Sequence, residues 1–165
     1  VPVLRDETLA DDCTGTFAVV KDAYLKLKDS FSSLDTVCCI YATAPLLKAK
    51  HLQEAYNLMQ NAHAKSVISI CEFPFPIQRA FVKDDNGNLS YREPKFAPMR
   101  SQDLQKCYQD CGLFYFYDKS CFEYFKDYQS IGYAMPRHRV IDIDTPEDWD
   151  YACAMAKAVE ELKLD

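Results

Sequence analysis

Two short runs of β-branched and small apolar residues, Thr36-Val37-Cys38-Cys39-Ile40-Tyr41 and Ser66-Val67-Ile68-Ser69-Ile70-Cys71, bracket an apolar stripe at Leu52, Ala55, Tyr56 and Met59. Uninterrupted runs of this length suit strands buried on both faces, and the stripe repeats with the period of a helix. Strand, helix and strand in that order predict a parallel pair joined by a right-handed crossover. The chain is thereby confined to the α/β class.

The flanking segments extend the pattern. Phe17, Val20, Tyr24, Leu27 and Phe31 predict an amphipathic helix, with Thr14 or Thr16 available as cap. A strand is expected over Gly112 to Tyr117 and a helix over Cys121 to Tyr128. A last helix is expected to bury Trp149, Ala152, Cys153, Ala156 and Val159. Between the second strand and Gly112 the regularity breaks at Phe73-Pro74-Phe75-Pro76, and Asp84-Asp85-Asn86-Gly87-Asn88 reads as a turn between short strands. Residues 72–111 therefore read as an insertion or arm within a single domain spanning residues 1–165.

Size and composition agree with one unit. A 165-residue chain that is 48% hydrophobic has material for one core and is too short for two ordinary domains. Its net charge of −6 argues against nucleic acid as a partner, since a phosphate-binding surface carries a basic stripe. The eight cysteines show no paired C-x-x-C spacing, and several fall in apolar patterns, so a reduced cytoplasmic protein is the simplest account. No apolar stretch is long enough to span a membrane and no signal-peptide pattern is visible, so no membrane partner is expected. The sequence opens at Val1 in mid-phrase, which suggests an upstream part that was removed or is not represented.

The chemistry concentrates in Ile141-Asp142-Ile143-Asp144-Thr145-Pro146-Glu147-Asp148-Trp149. This run reads as a buried strand that turns directly into a capped helix. Alternation along the strand puts Asp142 and Asp144 on one face. Thr145 suits the N-cap, Pro146 the first helical position, and Glu147 and Asp148 the positive end of the helix dipole. A hard cation such as Mg²⁺ takes one or two carboxylates together with water and substrate oxygens, which such a pair can offer. Asp142 capping a loop and Asp144 starting the helix is the plainer alternative.

Other polar residues give weaker signals. His51 and His63 fall on or near a polar helix face, and no Ser-His-Asp, Cys-His or H-E-x-x-H arrangement supports a hydrolase or zinc protease. Arg137-His138-Arg139 could draw an anionic substrate, but a solvated strand start explains the trio equally well, and it is left outside the expected site.

Four phrases occur in the order found in the CMP-sugar synthetases of nine-carbon acidic sugars. Arg5 with Leu9-Ala10-Asp11-Asp12 resembles the family's R-P-x-x-L-A-x-D stretch, and Cys39-Ile40-Tyr41-Ala42-Thr43-Ala44-Pro45-Leu46 is similar to L-Q-P-T-S-P-L. Arg100-Ser101-Gln102-Asp103-Leu104, with Tyr108 and Gly112-Leu113-Phe114-Tyr115, resembles R-x-Q-D-L and N-G-x-x-Y, and the Asp142 run completes the set. The spellings Tyr-Ala-Thr-Ala-Pro, Phe-Pro-Ile-Gln-Arg-Ala and Asp-Ile-Asp-Thr-Pro-Glu-Asp-Trp resemble the pseudaminic acid cytidylyltransferase branch most. Tyr41 and Cys111 stand where sialic acid synthetases carry glutamine and asparagine.

The resemblance implies a Rossmann-like nucleotidyltransferase fold, three-layered, with a mostly parallel sheet and an inserted dimerisation arm. It also implies transfer of CMP from CTP to a nine-carbon acidic sugar, most closely pseudaminic acid, in a cytoplasmic homodimer. Asp142 and Asp144 would be catalytic and hold Mg²⁺; Arg5, Asp12 and Thr43 would lie at the nucleotide. Arg100, Gln102, Tyr108, Phe114, Tyr115 and Arg79 would shape the sugar pocket, with Arg100 or Arg79 on the carboxylate. Phe114 and Tyr115 alternate along a strand, so at most one of them faces the ligand. The family's A-R-x-G-S-K phosphate loop is absent, and the four glycines are isolated, so this chain alone is expected to be inactive. The alternatives are a non-catalytic sugar-binding or assembly module on the same fold and, less well matched, a glycosyltransferase using Asp-Ile-Asp as its metal motif.

Overall fold

A computed structural model describes residues 2–11, 13–31, 33–124 and 129–164. Six strands are described: β1 (Thr36–Ile40), β2 (Ser66–Glu72), β3 (Phe81–Lys83), β4 (Leu89–Tyr91), β5 (Tyr108–Asp118) and β6 (Ser130–Ala134). The helices are α1 (Thr16–Leu27), α2 (Ala49–Asn61), the single turn α3 (Ser120–Glu123) and α4 (Pro146–Glu161). Four strands form the main sheet in the order β1-β5-β2-β6.

The α/β expectation holds, but the sheet is mixed. β1 and β2 run in the same direction without pairing: β5 lies between them, antiparallel to both, and β2 with β6 is the parallel pair. Length explains the intrusion. The eleven residues of β5 reach Thr36–Ile40 on one side and Ser66–Glu72 on the other, and its alternate residues serve two cores. Phe114 and Phe116 face Ala55 and Met59 of α2, while Tyr115 and Tyr117 face Val20 and Tyr24 of α1. Helices thus cover both sides of the sheet.

Several local expectations change. α1 starts at Thr16 after Gly15, whose position carries no side-chain cap, and Phe31 lies beyond the helix and exposed. β1 is an edge strand with Cys38 and Ile40 exposed, rather than a strand buried on both faces. His51 is 1% exposed; its Nδ1 accepts the Lys48 N–H at 3.1 Å across the first turn of α2. Burial, then the nearby charge of Arg139, holds its pKa below the ordinary imidazole value. α4 buries Ala152 and Val159 as expected, whereas Trp149 is 59% exposed and Cys153 and Ala156 face outward. The helix expected from Cys121 is observed as α3, and residues 125–128 lie outside the described residues.

The arm is a separate antiparallel ribbon of β3 and β4. Its turn forms where expected: the Asp84 carboxylate accepts from the Asn86 and Asn88 N–H groups, and Gly87 takes φ 86°. The main sheet draws the arm's edges inward, because Tyr108, Gln109 and Asp110 pair with Glu72, Cys71 and Ile70. Between Asp110 and Tyr115 the register of β5 slips against β2, and Gly112 at φ 61° accommodates the bulge.

Candidate functional site at the carboxyl ends of the strands

Because β1, β2 and β6 run in one direction, their carboxyl ends and the start of β5 share one edge of the sheet. In open α/β sheets that edge is the ligand side. Thr43 follows β1 there and is half-buried; Tyr108 opens β5 and is 45% exposed. The turn Arg137–Arg139 follows β6 and leads into Asp142 and Asp144.

The acidic corner keeps its alternation but not its strand. Ile141 is buried and Ile143 partly so, while Asp142 and Asp144 are exposed, yet the segment carries no ladder. A strand exists only through a partner, and among the described residues none pairs with this one. Ile141 instead packs with Leu46 and Ala152, three residues beyond Thr43 and on α4 respectively. The helix start forms as expected: Thr145 caps α4 by accepting the Asp148 N–H, Pro146 is its first residue, and Asp148 accepts from the Thr145 N–H and hydroxyl. Those bonds, the hydroxyl's first, hold the Asp148 carboxyl below its usual range.

The carboxylates of Asp142 and Asp144 engage in no hydrogen bond or ion pair among the described residues; only the Asp144 N–H is used, donating to Asp148 at 3.2 Å. No group of three or more metal-ligating side chains occurs among the described residues. Two open hard-oxygen donors beside a ligand edge nevertheless fit a cation that draws its remaining ligands from water and substrate.

Arg139 fastens this corner to the Thr43 loop. Its guanidinium, 2% exposed, donates to the Leu46 carbonyl at 3.1 Å and the Leu164 carbonyl at 2.5 Å. The solvated strand start expected for the trio is therefore a tight turn with a buried arginine. Arg139→Met should cost about 2 kcal/mol, the net worth of charge-assisted bonds less partial rehydration of the two carbonyls. A denaturant midpoint lowered at unchanged slope is the check, and an unchanged midpoint would contradict it.

Of the sugar residues expected from sequence, Tyr108 lies at this edge and Tyr115 packs on the α1 side of the sheet. The Tyr115 hydroxyl donates to the Asp110 carboxylate at 2.9 Å and its ring lies beside Tyr41, whose hydroxyl meets that of Thr16. Burial, then the Asp110 bond, raises the Tyr115 pKa, so the phenol stays protonated at neutral pH. Phe114 is fully buried, which removes it from the pocket wall. Arg100 is clamped by Asp103 at 2.7 and 3.0 Å on the arm, with Gln102 exposed in the same turn. Arg79 donates to Ser101 at 3.2 Å and lines a cavity of about 420 Å³ with Phe73, Phe75, Ile77 and Phe81.

Arg5 lies elsewhere. Its guanidinium bonds the Leu9 carbonyl, and it shares a cavity with Lys26 and Leu27 at the far end of α1, about 16 Å of helix from Thr16. Asp12 lies outside the described residues. Arg137 and His138, which sequence reasoning weighed as a draw for anions and left outside the site, are brought by the structure to the strand ends, near Tyr108 and Gln109.

Comparison with known proteins bears on this edge. The pseudaminic acid cytidylyltransferase of Campylobacter jejuni serotype O:2 is 39% identical over 164 residues, 97% of this chain and 70% of the relative. The protein of that description from serotype O:23/36 is 38% identical over the same shares. Among solved structures, 4-diphosphocytidyl-2C-methyl-D-erythritol synthase from Anaerococcus prevotii superposes with a TM-score of 0.50 at 16% identity, over 82% of this chain and 64% of its own. That likeness concerns the fold alone. No family model matches the chain.

Proposed function

The chain belongs to the pseudaminic acid cytidylyltransferase family, and from that premise we propose that it activates pseudaminic acid with CTP, yielding the CMP-sugar and pyrophosphate. The observation that carries this reading is the gathering of the Thr43 loop, Tyr108 and the Asp142–Asp144 segment on one sheet edge.

In this reading the anomeric hydroxyl forms the new bond to the α-phosphorus as the bond to the pyrophosphate oxygen breaks. Asp142 and Asp144 would hold Mg²⁺, which when bound neutralises phosphate charge and makes the sugar hydroxyl more acidic. Arg139 keeps their segment seated against the Leu46 carbonyl, so the carboxylates and Thr43 keep a fixed relation. Tyr115 spends its one phenolic proton on Asp110, so its hydroxyl can offer the substrate an acceptor lone pair but neither a proton nor a base. Thr43 remains the nucleotide candidate at this edge, with Arg5 more remote and Asp12 outside the described residues, and Gln102, Arg100 and Arg79 would approach the sugar from the arm.

The arm supports a homodimer. Phe75, Phe81 and Leu89 are 79%, 54% and 64% exposed, more apolar surface than a two-stranded ribbon can bury alone. Sedimentation should give a dimer at micromolar concentration; a stable monomer there would refute it. A cytoplasmic location fits eight free thiols and the lack, among the described residues, of a helix long and apolar enough to cross a membrane.

The test is pyrophosphate release from CTP by the full-length protein with Mg²⁺, comparing pseudaminic acid with N-acetylneuraminic acid. Release should be faster with the former. No release with either sugar would overturn the reading.

A further inference from the structure

We infer that Arg137, with His138 beside it, receives the carboxylate of the acidic sugar in a cleft at the carboxyl ends of β2 and β6. The inference rests on the cytidylyltransferase reading and adds a specificity residue to it.

Two adjoining hollows of about 400 and 550 Å³ open at this place and share Cys71, Glu72, Pro74 and Arg137. Each is of the size that holds a small organic ligand. Arg137 is exposed and makes no hydrogen bond or ion pair among the described residues. Glu72, the one carboxylate lining either hollow among the described residues, is already held by Lys106 at 2.9 Å. The Arg137 fork is thus left facing the cleft with its donors unspent. His138 lines the larger hollow beside it, with its Nε2 buried behind the surface and without a partner. Tyr108, Gln109 and Tyr151 complete a lining suited to hydroxyl and amide groups.

A planar guanidinium matches a carboxylate in bidentate fashion. A nucleotide phosphate is the other anion at hand, and position favours the sugar. The strand order puts β2 two steps and β6 three steps from β1, about 10 to 14 Å from the Thr43 end. The chain runs from Arg137 to Asp142 within five residues, and Ile141 packs against Leu46 on the Thr43 loop. The acidic corner therefore connects an anion-receptive cleft with the nucleotide end. Of the arginines expected from sequence, Arg100 is paired with Asp103, whereas Arg79 donates to Ser101 and keeps a buried Nε without a partner in the separate cavity of the arm.

The experiment measures KM for pseudaminic acid and for CTP, and calorimetric binding of the sugar acid and its methyl ester, in full-length wild type, Arg137→Ala and Arg137→Lys. Loss of a charge-assisted fork should raise the sugar KM about 10- to 100-fold in Arg137→Ala, with Arg137→Lys between and the CTP KM within about threefold. The preference for acid over ester should disappear in Arg137→Ala. An active wild type whose alanine variant keeps the sugar KM and the acid preference overturns the Arg137 assignment alone. A CTP KM rising in step with the sugar KM assigns Arg137 to phosphate and also overturns it. A wild type that neither binds nor turns over the sugar overturns the underlying reading instead.

Discussion

Asp144→Asn is expected to lower pyrophosphate release at least about 1,000-fold, because a bound cation's charge stabilisation is worth several kcal/mol and each tenfold in rate needs about 1.4 kcal/mol. Stability should hardly move. The Asp144 side chain is exposed and bonds nothing among the described residues, while its N–H, which bonds Asp148, is untouched by the exchange. Surface replacements of this kind stay within about 0.5 kcal/mol. Asp148→Ala is the informative contrast: four residues along, it removes the acceptor of the Thr145 N–H and hydroxyl and should cost about 1 kcal/mol as a lost cap. Full turnover in Asp144→Asn would reduce the pair to helix-start residues and remove the proposed Mg²⁺ seat.

What the sequence disclosed at this corner, and what it withheld, follows from the range of the forces involved. The cap at Thr145, the first-turn Pro146 and the outward aspartates depend on neighbours within four residues, so they were legible. The strand expected over Ile141 to Asp144 was not formed because a ladder depends on a distant partner, and alternation of burial survives without one. The sheet repeats the lesson. β1, α2 and β2 were placed correctly, but strand order is a long-range property, and the eleven-residue β5 separates two strands that local reading had paired.

Burial of charge was the least legible feature. Arg137, His138 and Arg139 are adjacent in sequence, yet the turn after β6 sends Arg139 inward to two carbonyls and leaves Arg137 at the cleft. No composition rule separates them, since the difference lies in which carbonyls come within reach once Leu46 and Leu164 are in place. His51 behaves likewise: helical spacing gave it a polar face, and packing against the sheet buried it.

Phe114→Ala should cost about 3 to 5 kcal/mol, lowering the thermal midpoint by roughly 10 °C in a chain of this size, while the sugar KM stays within about twofold. The ring is fully buried, with centroids 5.8 Å from Phe116 and 5.9 Å from Tyr133. Its backbone N–H donates to Ser69 Oγ at 3.1 Å, a bond that the substitution leaves in place, so the loss is that of packing and the cavity left behind. Its neighbour Tyr115 points to the opposite face, where the hydroxyl is held by Asp110. Tyr115→Phe should therefore show the inverse pattern, a stability change of about 1 kcal/mol with an altered sugar KM. A Phe114→Ala variant of unchanged stability and weakened sugar binding would reverse the two assignments and put β5 in the other register relative to the ligand.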